Sequence, residues 1–220
     1  MSKQANNEWM SISDMMSGLM LIFLFIAISY MVRVEAEKQE MKDIALEYRD
    51  TKADLNEALF TEFEKDFKAW DATVTTDNAV VFSSPEVLFA VSKSEINNKF
   101  KTILDEFFVR YLKIISSAKY KNEIEEIRVE GYTSKSWKNS TSEKERYLKN
   151  MKLSQERAYN VLSYCYNLDS DIIQKQREWL EQHLRANGMA FAKPQEGEKA
   201  RRVEFRILMK SEERVDALLQ

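Results

Sequence analysis

The chain has 220 residues, 33 of them basic and 36 acidic, with a formal net charge of −3. This balance lacks the basic excess typical of nucleic-acid-binding proteins, so no direct nucleic-acid partner is expected. The length allows one globular domain with an appendage, or two small domains. The single cysteine, Cys165, excludes a scaffold of intrachain disulfides.

The first element in chain order is an uncharged apolar run, residues 15–32, which Arg33 closes. Its length of roughly 18 residues is near the lower limit for a membrane-spanning helix. Trp9 and Tyr30 are placed to lie at the two interfaces. A cleaved signal peptide fits less well, because the preceding stretch is poor in basic residues and no small-residue cleavage site follows. The sequence therefore predicts a retained single-pass anchor.

An acidic residue, Asp14, stands at the start of this run. On a helix it shares a small, polar face with Ser17 and Gly18. In one interpretation Asp14 is the helix N-cap and lies in the headgroup region. In the other the helix begins near Trp9, and Asp14 lies within the membrane, where a carboxylate usually marks an ion pathway. The pattern leaves both interpretations open.

Residues 9–23 resemble the transmembrane segment of MotB-type stator subunits, in which an aromatic residue precedes an Asp and Met and Phe positions follow. The resemblance implies that Asp14, with Ser17 beside it, carries a translocated proton or sodium ion. One helix cannot enclose an ion path, so it also implies a ring of MotA-like membrane subunits. Each charge that crosses about 100 mV yields roughly 2.3 kcal/mol, which such a motor uses for rotation. No other cofactor is implied.

Residues 33–74 are rich in charged residues and contain no Gly or Pro, which predicts a helical linker. Apolar residues recur along it at helical spacing, among them Met41, Leu55, Leu59 and Phe63. This stripe predicts either a coiled coil in a homodimer or a helix packed on its own downstream domain. The pattern does not choose between the two.

Alternating strand-like and helix-like patterns follow over residues 75–210, before a short tail at 211–220. They predict a two-layer α/β sandwich after the linker. Strands are predicted at residues 79–82, 124–130 and 202–208, and a turn at 83–85. Helices are predicted at 99–115, 153–168 and 172–184, with Ser154 as the capping residue of the second.

Three stretches of this region, residues 87–96, 129–134 with 150–158, and 201–205, resemble the OmpA-like peptidoglycan-binding domain. That family usually carries Gly-His-Thr-Asp followed by Asn-x-x-Leu-Ser-x-x-Arg-Ala. The implied peptidoglycan-binding residues are Thr133, Ser134, Asn150, Leu153 and Arg157. Arg157 matches the family arginine that grips a carboxylate of diaminopimelate, and a guanidinium suits a carboxylate because its paired donors bind it bidentately. The alternative for Arg157 is a surface arginine in an ion pair.

The match to the OmpA-like motif is incomplete. Ser134 stands where the family has Asp, and Tyr132 where it usually has His. A charged insert, residues 135–149, separates the two halves of the motif. Arg201 and Arg202 either contact the ligand or only flank a structural strand. Wall binding is therefore expected to be weaker or to use different contacts.

No catalytic constellation is visible, so an enzyme is not expected. His183 is expected to be structural, and Cys165 to be a buried small apolar residue. The resemblances imply an ion-driven inner-membrane subunit with a cytoplasmic N-terminus and a periplasmic C-terminal domain. Two settings share this architecture, the flagellar stator and the Zorya anti-phage defence motor. The short N-terminus before Asp14 and the presence of Ser134 favour the second. The competing function is a passive tether between the wall and the inner membrane.

Overall fold

A computed structural model describes residues 2–135, 142–193 and 200–210, with the side chains of residues 2–12, 85 and 86 excepted. The chain divides into two compact units, Met1–Glu47 and Tyr48–Gln220. Three predictions lie outside the described part: the interfacial side chain of Trp9, residues 136–141 of the predicted insert, and the tail at 211–220.

The first helix, α1, runs over Ser2–Phe63. By length and composition it can cross a membrane, since an 18-residue window has a mean hydropathy of 2.3 and none of that window is buried. Asp14 lies about three turns after the start of the helix. The interpretation of Asp14 as an N-cap is therefore wrong, because its backbone is in the helix interior.

The second unit contains a five-stranded sheet with the order β1-β2-β5-β3-β4. Strand β3 pairs antiparallel with β5 and parallel with β4, and β2 pairs antiparallel with both β1 and β5. The strands are β1 Ala72–Val74, β2 Ala79–Phe82, β3 Ile124–Gly131, β4 Leu184–Gly188 and β5 Val203–Met209. The further helices are α2 Phe67–Trp70, α3 Pro85–Leu88, α4 Asn98–Ile115, α5 Glu143–Tyr166, α6 Asp171–Lys175 and α7 Arg177–His183.

The core lies between α4 and the sheet. All eight apolar residues of the predicted helical stripe on α4 are buried, as its periodicity predicts. The Phe107 ring on α4 contacts strand side chains on the sheet, with centroids 5.0 Å from Phe82 and 5.0 Å from Phe205. The predicted α/β sandwich is confirmed.

The last turns of α1 also belong to this core. Leu55, Leu59 and Phe63 are each 0% exposed, and the compact unit begins at Tyr48. Over this stretch the apolar stripe packs on its own domain, the second of the two alternatives. The sequence assigned the same residues to the linker, because a helix before a domain carries no local mark of what it packs against.

Helix α5 begins ten residues earlier than predicted, at Glu143. Its cap is Ser142, whose Oγ accepts a hydrogen bond from the Glu145 N–H at 3.2 Å. Ser154 is therefore not a cap but a buried residue within the helix. The first turns of α5 are strongly polar, which hides the apolar period. The Ser-x-x-Glu capping box at Ser142 was the available signal.

The predicted helix at 172–184 is instead two short helices, α6 and α7, followed by β4. Strand β4 has the sequence LRANG, which lacks the apolar alternation of a typical strand. Its pairing with β3 fixes it as a strand, and only the tertiary fold supplies that partner. The predicted turn at 83–85 ends where α3 begins, and β1 was not predicted.

Candidate functional site

A small pocket lies where the segment after α3 meets α5 and the start of β5. We call it the Arg157 pocket, and its lining residues are Leu88, Phe89, Val91, Arg157, Arg201 and Arg202. Helix α5 supplies Arg157 from its middle, where the helix packs against the sheet. Three arginines thus meet at one apolar wall.

Arg157 is only 6% exposed. Its Nε donates to the Lys93 carbonyl at 2.9 Å, and its guanidinium lies 4.7 Å from the centroid of the Phe89 ring. Within the described residues it forms no ion pair and no acidic side chain lines the pocket. Burial, followed by repulsion from Arg201, lowers the pKa of Arg157 to about 10. A buried cation without a counter-ion among the described residues is costly, so an anionic group placed beside Arg157 would be favourable.

Arg202 has a different environment. It is 3% exposed, its Nε donates to Glu204 Oε1 at 2.6 Å, and its guanidinium lies 3.6 Å from the Tyr132 ring centroid. The Tyr132 hydroxyl in turn donates to Glu130 at 2.8 Å. Arg202 is therefore neutralised by the fold, and Tyr132 belongs to the same buried network. Of the two sequence alternatives for Arg202, these contacts support the structural one.

The end of β3 approaches α5 very closely. A Cβ atom on Gly131 would lie 2.3 Å from the Ser154 carbonyl oxygen. The Thr133 N–H donates to the Ala190 carbonyl at 2.7 Å, and the Ala190 N–H donates to Ser154 Oγ at 2.9 Å. Through Ala190 the two halves of the predicted motif, around Thr133 and around Leu153, are brought together.

Most of the predicted peptidoglycan-binding residues nevertheless stand outside the Arg157 pocket. Asn150 is 1% exposed and its Nδ2 donates to the Arg146 carbonyl at 3.1 Å, so its amide is committed to its own helix. Leu153 and Thr133 are buried, and Ser134 is partly exposed. The Thr133 Oγ1 atom is buried without a hydrogen-bond partner in the described part of the chain. Among the described residues, only Arg157 of the predicted five lines this pocket.

Two contributors were not singled out from the sequence: the Phe89 ring and the Lys93 carbonyl, both of which contact Arg157. They lie in the stretch 87–96 that carries part of the OmpA-like resemblance. An aromatic residue in that stretch was the available signal for Phe89. A backbone carbonyl leaves no signal in a sequence.

The OmpA family matches residues 88–205 of this chain. The Zorya protein ZorB of Escherichia coli strain Crooks is 37% identical over 225 residues, which cover 99% of this chain and 94% of that protein. The chain belongs to the ZorB family of OmpA-domain proteins. Identity at this level over nearly the whole length includes the apolar helix as well as the sandwich domain.

A solved structure has the same fold as this ZorB-family chain. A MotB-like protein from Desulfovibrio vulgaris superposes with a TM-score of 0.51, covering 74% of this chain and 98% of the other, at 18% identity. At that identity the likeness shows the shared fold alone. It places the sandwich domain of the ZorB-family chain among MotB-like folds.

In the membrane helix of this ZorB-family chain, Asp14 and Ser17 are both exposed, one turn apart on α1. A Cβ atom added at Gly18 would meet nothing within 4 Å. The large apolar side chains that follow, from Met15 onward, are also exposed. This face offers room for close approach by other helices.

Two further residues with reactive side chains, Cys165 and His183, have structural environments. Cys165 is buried, as predicted, and burial raises the pKa of its thiol well above the usual value. His183 stacks on Trp179, with ring centroids 5.1 Å apart, and its Nδ1 lies 2.8 Å from the Trp179 carbonyl oxygen. These contacts fit the structural role expected for His183.

Proposed function

We propose that this chain is the single-pass inner-membrane subunit of an ion-driven motor that acts in anti-phage defence. The N-terminus is cytoplasmic, and the sandwich domain is periplasmic and anchors the motor to peptidoglycan. The setting is supported by the relationship to a protein named for the Zorya system. The motor role is supported by the MotB-type resemblance around Asp14 and by its position inside an apolar helix.

The observation that carries the wall-anchoring part is the buried charge of Arg157, which has no acidic partner among the described residues. A carboxylate of the stem peptide, such as that of diaminopimelate, would supply the missing counter-ion through paired hydrogen bonds. Phe89 and the Lys93 carbonyl fix the guanidinium from two sides, so little side-chain entropy is lost on binding. With Ser134 in place of an acidic residue, recognition rests on the ligand carboxylate rather than on its ammonium group.

Replacing this arginine tests the wall anchor. Arg157→Ala is expected to weaken retention on purified peptidoglycan sacculi by about tenfold or more, because a hydrogen-bonded charge pair is lost. Arg157→Lys keeps the charge but lacks the planar guanidinium, so its retention is expected to lie between that of the unaltered protein and that of Arg157→Ala. Co-sedimentation with sacculi measures both variants, and thermal unfolding checks that the domain is intact. Arg185→Ala, an exposed arginine on β4, is the matched control. Retention equal to that of the unaltered protein would remove Arg157 from the site.

Ion conduction depends on Asp14 in this proposal. Binding of a proton or sodium ion neutralises the carboxylate and lets it pass apolar walls, and release on the other side restores its charge. The exposed small face beside it, with Ser17 and Gly18, is open to a MotA-like ring. Two copies of the chain place one Asp14 each in that ring.

The substitution Asp14→Asn separates a motor from a passive tether. It preserves side-chain size and hydrogen bonding but cannot carry a charge. Phage protection in a plating assay is expected to disappear, while membrane insertion and sacculus binding are retained. Asp43→Asn, at an exposed acid farther along α1, is expected to keep full protection. Full protection by Asp14→Asn would leave only the passive tether.

A further inference from the structure

The five-stranded sheet of the sandwich domain has two edge strands, β1 and β4. An edge strand presents unpaired backbone N–H and C=O groups, which can pair with a strand of another molecule. Strand β1 is three residues long, and beside its end Asn56 Nδ2 of α1 donates to the Thr75 carbonyl at 2.6 Å. Strand β4 is five residues long and, among the described residues, pairs with β3 alone. Strand β4 is therefore the edge that offers more backbone to an added strand.

Alternate residues of β4 point their backbone groups away from β3. The N–H and C=O groups of one residue lie on the same side of a strand, and successive residues alternate. Directly after β4, the Met189 N–H donates to the Gly131 carbonyl of β3 at 2.9 Å. Gly188 and Ala186 therefore face away from β3. We call the outward-facing backbone groups of Ala186 and Gly188 the β4 edge.

One side chain of α5 occupies the β4 edge. Gln155 Nε2 donates to the Ala186 carbonyl at 3.0 Å, and Gln155 Oε1 accepts from the Gly188 N–H at 2.6 Å. A side-chain amide offers a donor and an acceptor next to each other, which is what the backbone of a neighbouring strand would present. The Gln155 amide thus stands where an added strand would form its hydrogen bonds.

The close approach of α5 to β4 makes this contact possible. A Cβ atom on Gly188 would lie 2.6 Å from the Gln155 backbone nitrogen and 2.8 Å from its Cα atom, so the glycine leaves room for the helix. Gln155 is itself exposed. Fixing an exposed glutamine costs side-chain entropy, which the two hydrogen bonds to the edge offset. Gln155 does not line the Arg157 pocket in the described part of the chain.

We propose that Gln155 blocks strand pairing between the β4 edges of two copies of this chain. A second copy is the occupant that fits, because two identical edges can pair antiparallel about a two-fold axis. Such pairing would join two five-stranded sheets into one, and the Gln155 side chain of each copy would first have to leave its edge. Asp14 and Arg157 take no part in this contact, so it is independent of the proposed motor and wall anchor.

Cross-linking of the full-length protein in detergent tests the proposal. Asn187→Cys places a thiol between the two outward-facing residues of the β4 edge, and a short thiol-specific cross-linker joins copies whose edges are paired. Cys165 is 0% exposed, and the protein without Asn187→Cys measures any background from it. Each test variant is combined with Asn187→Cys. Gln155→Ala removes both hydrogen bonds, and Gln155→Glu removes the donor alone.

Two controls accompany these variants. Gln174→Ala, combined with Asn187→Cys, truncates an exposed glutamine on α6 and is the matched side-chain control. Thr73→Cys places the thiol at an exposed position of β1, on the opposite edge of the sheet, and is the control for the site of cross-linking. Thermal unfolding of every variant checks that the domain is intact.

Gln155→Ala is expected to raise the ratio of cross-linked to free chains at Asn187→Cys by about 5- to 30-fold, because two hydrogen bonds no longer compete with strand pairing. Gln155→Glu is expected to raise this ratio less, since its carboxylate can still accept from the Gly188 N–H. The ratio is expected to stay unchanged with Gln174→Ala and at Thr73→Cys. An unchanged ratio with Gln155→Ala would overturn the proposal, and so would an equal rise with Gln174→Ala or at Thr73→Cys.

Discussion

Two arginines, Arg157 and Arg202, line one pocket and are similarly buried, but they differ in their partners. Arg202 meets Glu204 at 2.6 Å and is neutralised within the fold. Arg157 meets a carbonyl and an aromatic ring, which orient it without cancelling its charge. Burial alone therefore does not distinguish the two arginines. Arg202 has a counter-ion, whereas Arg157 has none among the described residues.

Close packing of Gly131 against α5 positions the segment that carries Thr133 and Ser134. Gly131→Ala would place its Cβ 2.3 Å from the Ser154 carbonyl oxygen, so strand and helix must separate. We expect the free energy of unfolding to fall by roughly 1–3 kcal/mol, as for overpacked cores. Urea denaturation of the full-length protein measures it. Gly18→Ala makes the same chemical change where nothing lies within 4 Å, so unfolding of the domain should not change. Equal stability of the two variants would contradict the close approach.

At the scale of elements, the end of α1 is fastened to α4 by one side chain. The Arg110 guanidinium donates to Glu62 Oε1 at 2.7 Å, to the Glu62 carbonyl at 2.6 Å and to Asp66 at 2.8 Å. It also lies 4.8 Å from the Phe63 ring centroid. These contacts hold the last turn of α1 to α4 within the second compact unit.

Arg110→Ala removes this fastening. Four hydrogen bonds of a charged donor are lost, including one to Glu106 on α4 itself, so the free energy of unfolding is expected to fall by about 1–3 kcal/mol. Amide hydrogen exchange should rise most over residues 55–63, where α1 packs on the core. Arg49→Ala breaks an ion pair that is exposed on both sides, and is expected to change stability by less than about 1 kcal/mol. If amide exchange over residues 55–63 in the Arg110 variant rose no more than in the rest of the domain, the packing of α1 would not depend on Arg110.

At the scale of the whole molecule, the compact unit that contains the OmpA domain is larger than the family match. The OmpA family match covers residues 88–205, whereas the compact unit starts at Tyr48. The additional segment contributes Leu55, Leu59 and Phe63, each fully buried, and the edge strand β1. The last turns of α1 therefore complete the core of the domain.

Two truncations test this boundary. A chain beginning at Tyr48 is expected to fold cooperatively, with native near-ultraviolet circular dichroism. A chain beginning at residue 75 loses three fully buried side chains, each worth about 2–5 kcal/mol, against a total stability of about 5–15 kcal/mol. It is expected to aggregate or to lack a cooperative transition. Cooperative unfolding of the shorter chain at the same midpoint would place the domain start near residue 75.

The sequence by itself determined the features that depend only on residues close together along the chain. The apolar run at 15–32 fixes a helix able to span a membrane, because lipid requires about that length of uncharged residues. The stripe on α4 fixes which of its side chains are buried, since the helical period sets the face. The resemblance of three stretches to the OmpA-like domain implied the fold and singled out Arg157.

Only the tertiary structure decided what depends on contacts between distant segments. Residues 184–188 form strand β4 because β3 pairs with them, and their sequence, LRANG, does not by itself indicate that pairing. The role of Arg157 depends on Phe89 and Lys93, more than 60 residues away, and on the absence of an acid in the described pocket. The end of α1 joins the core because α4 and Trp70 offer it an apolar surface. The amino-acid sequence sets the chemistry of each side chain and the period of each helix or strand. The neighbours of a side chain in space determine its charge balance and its packing.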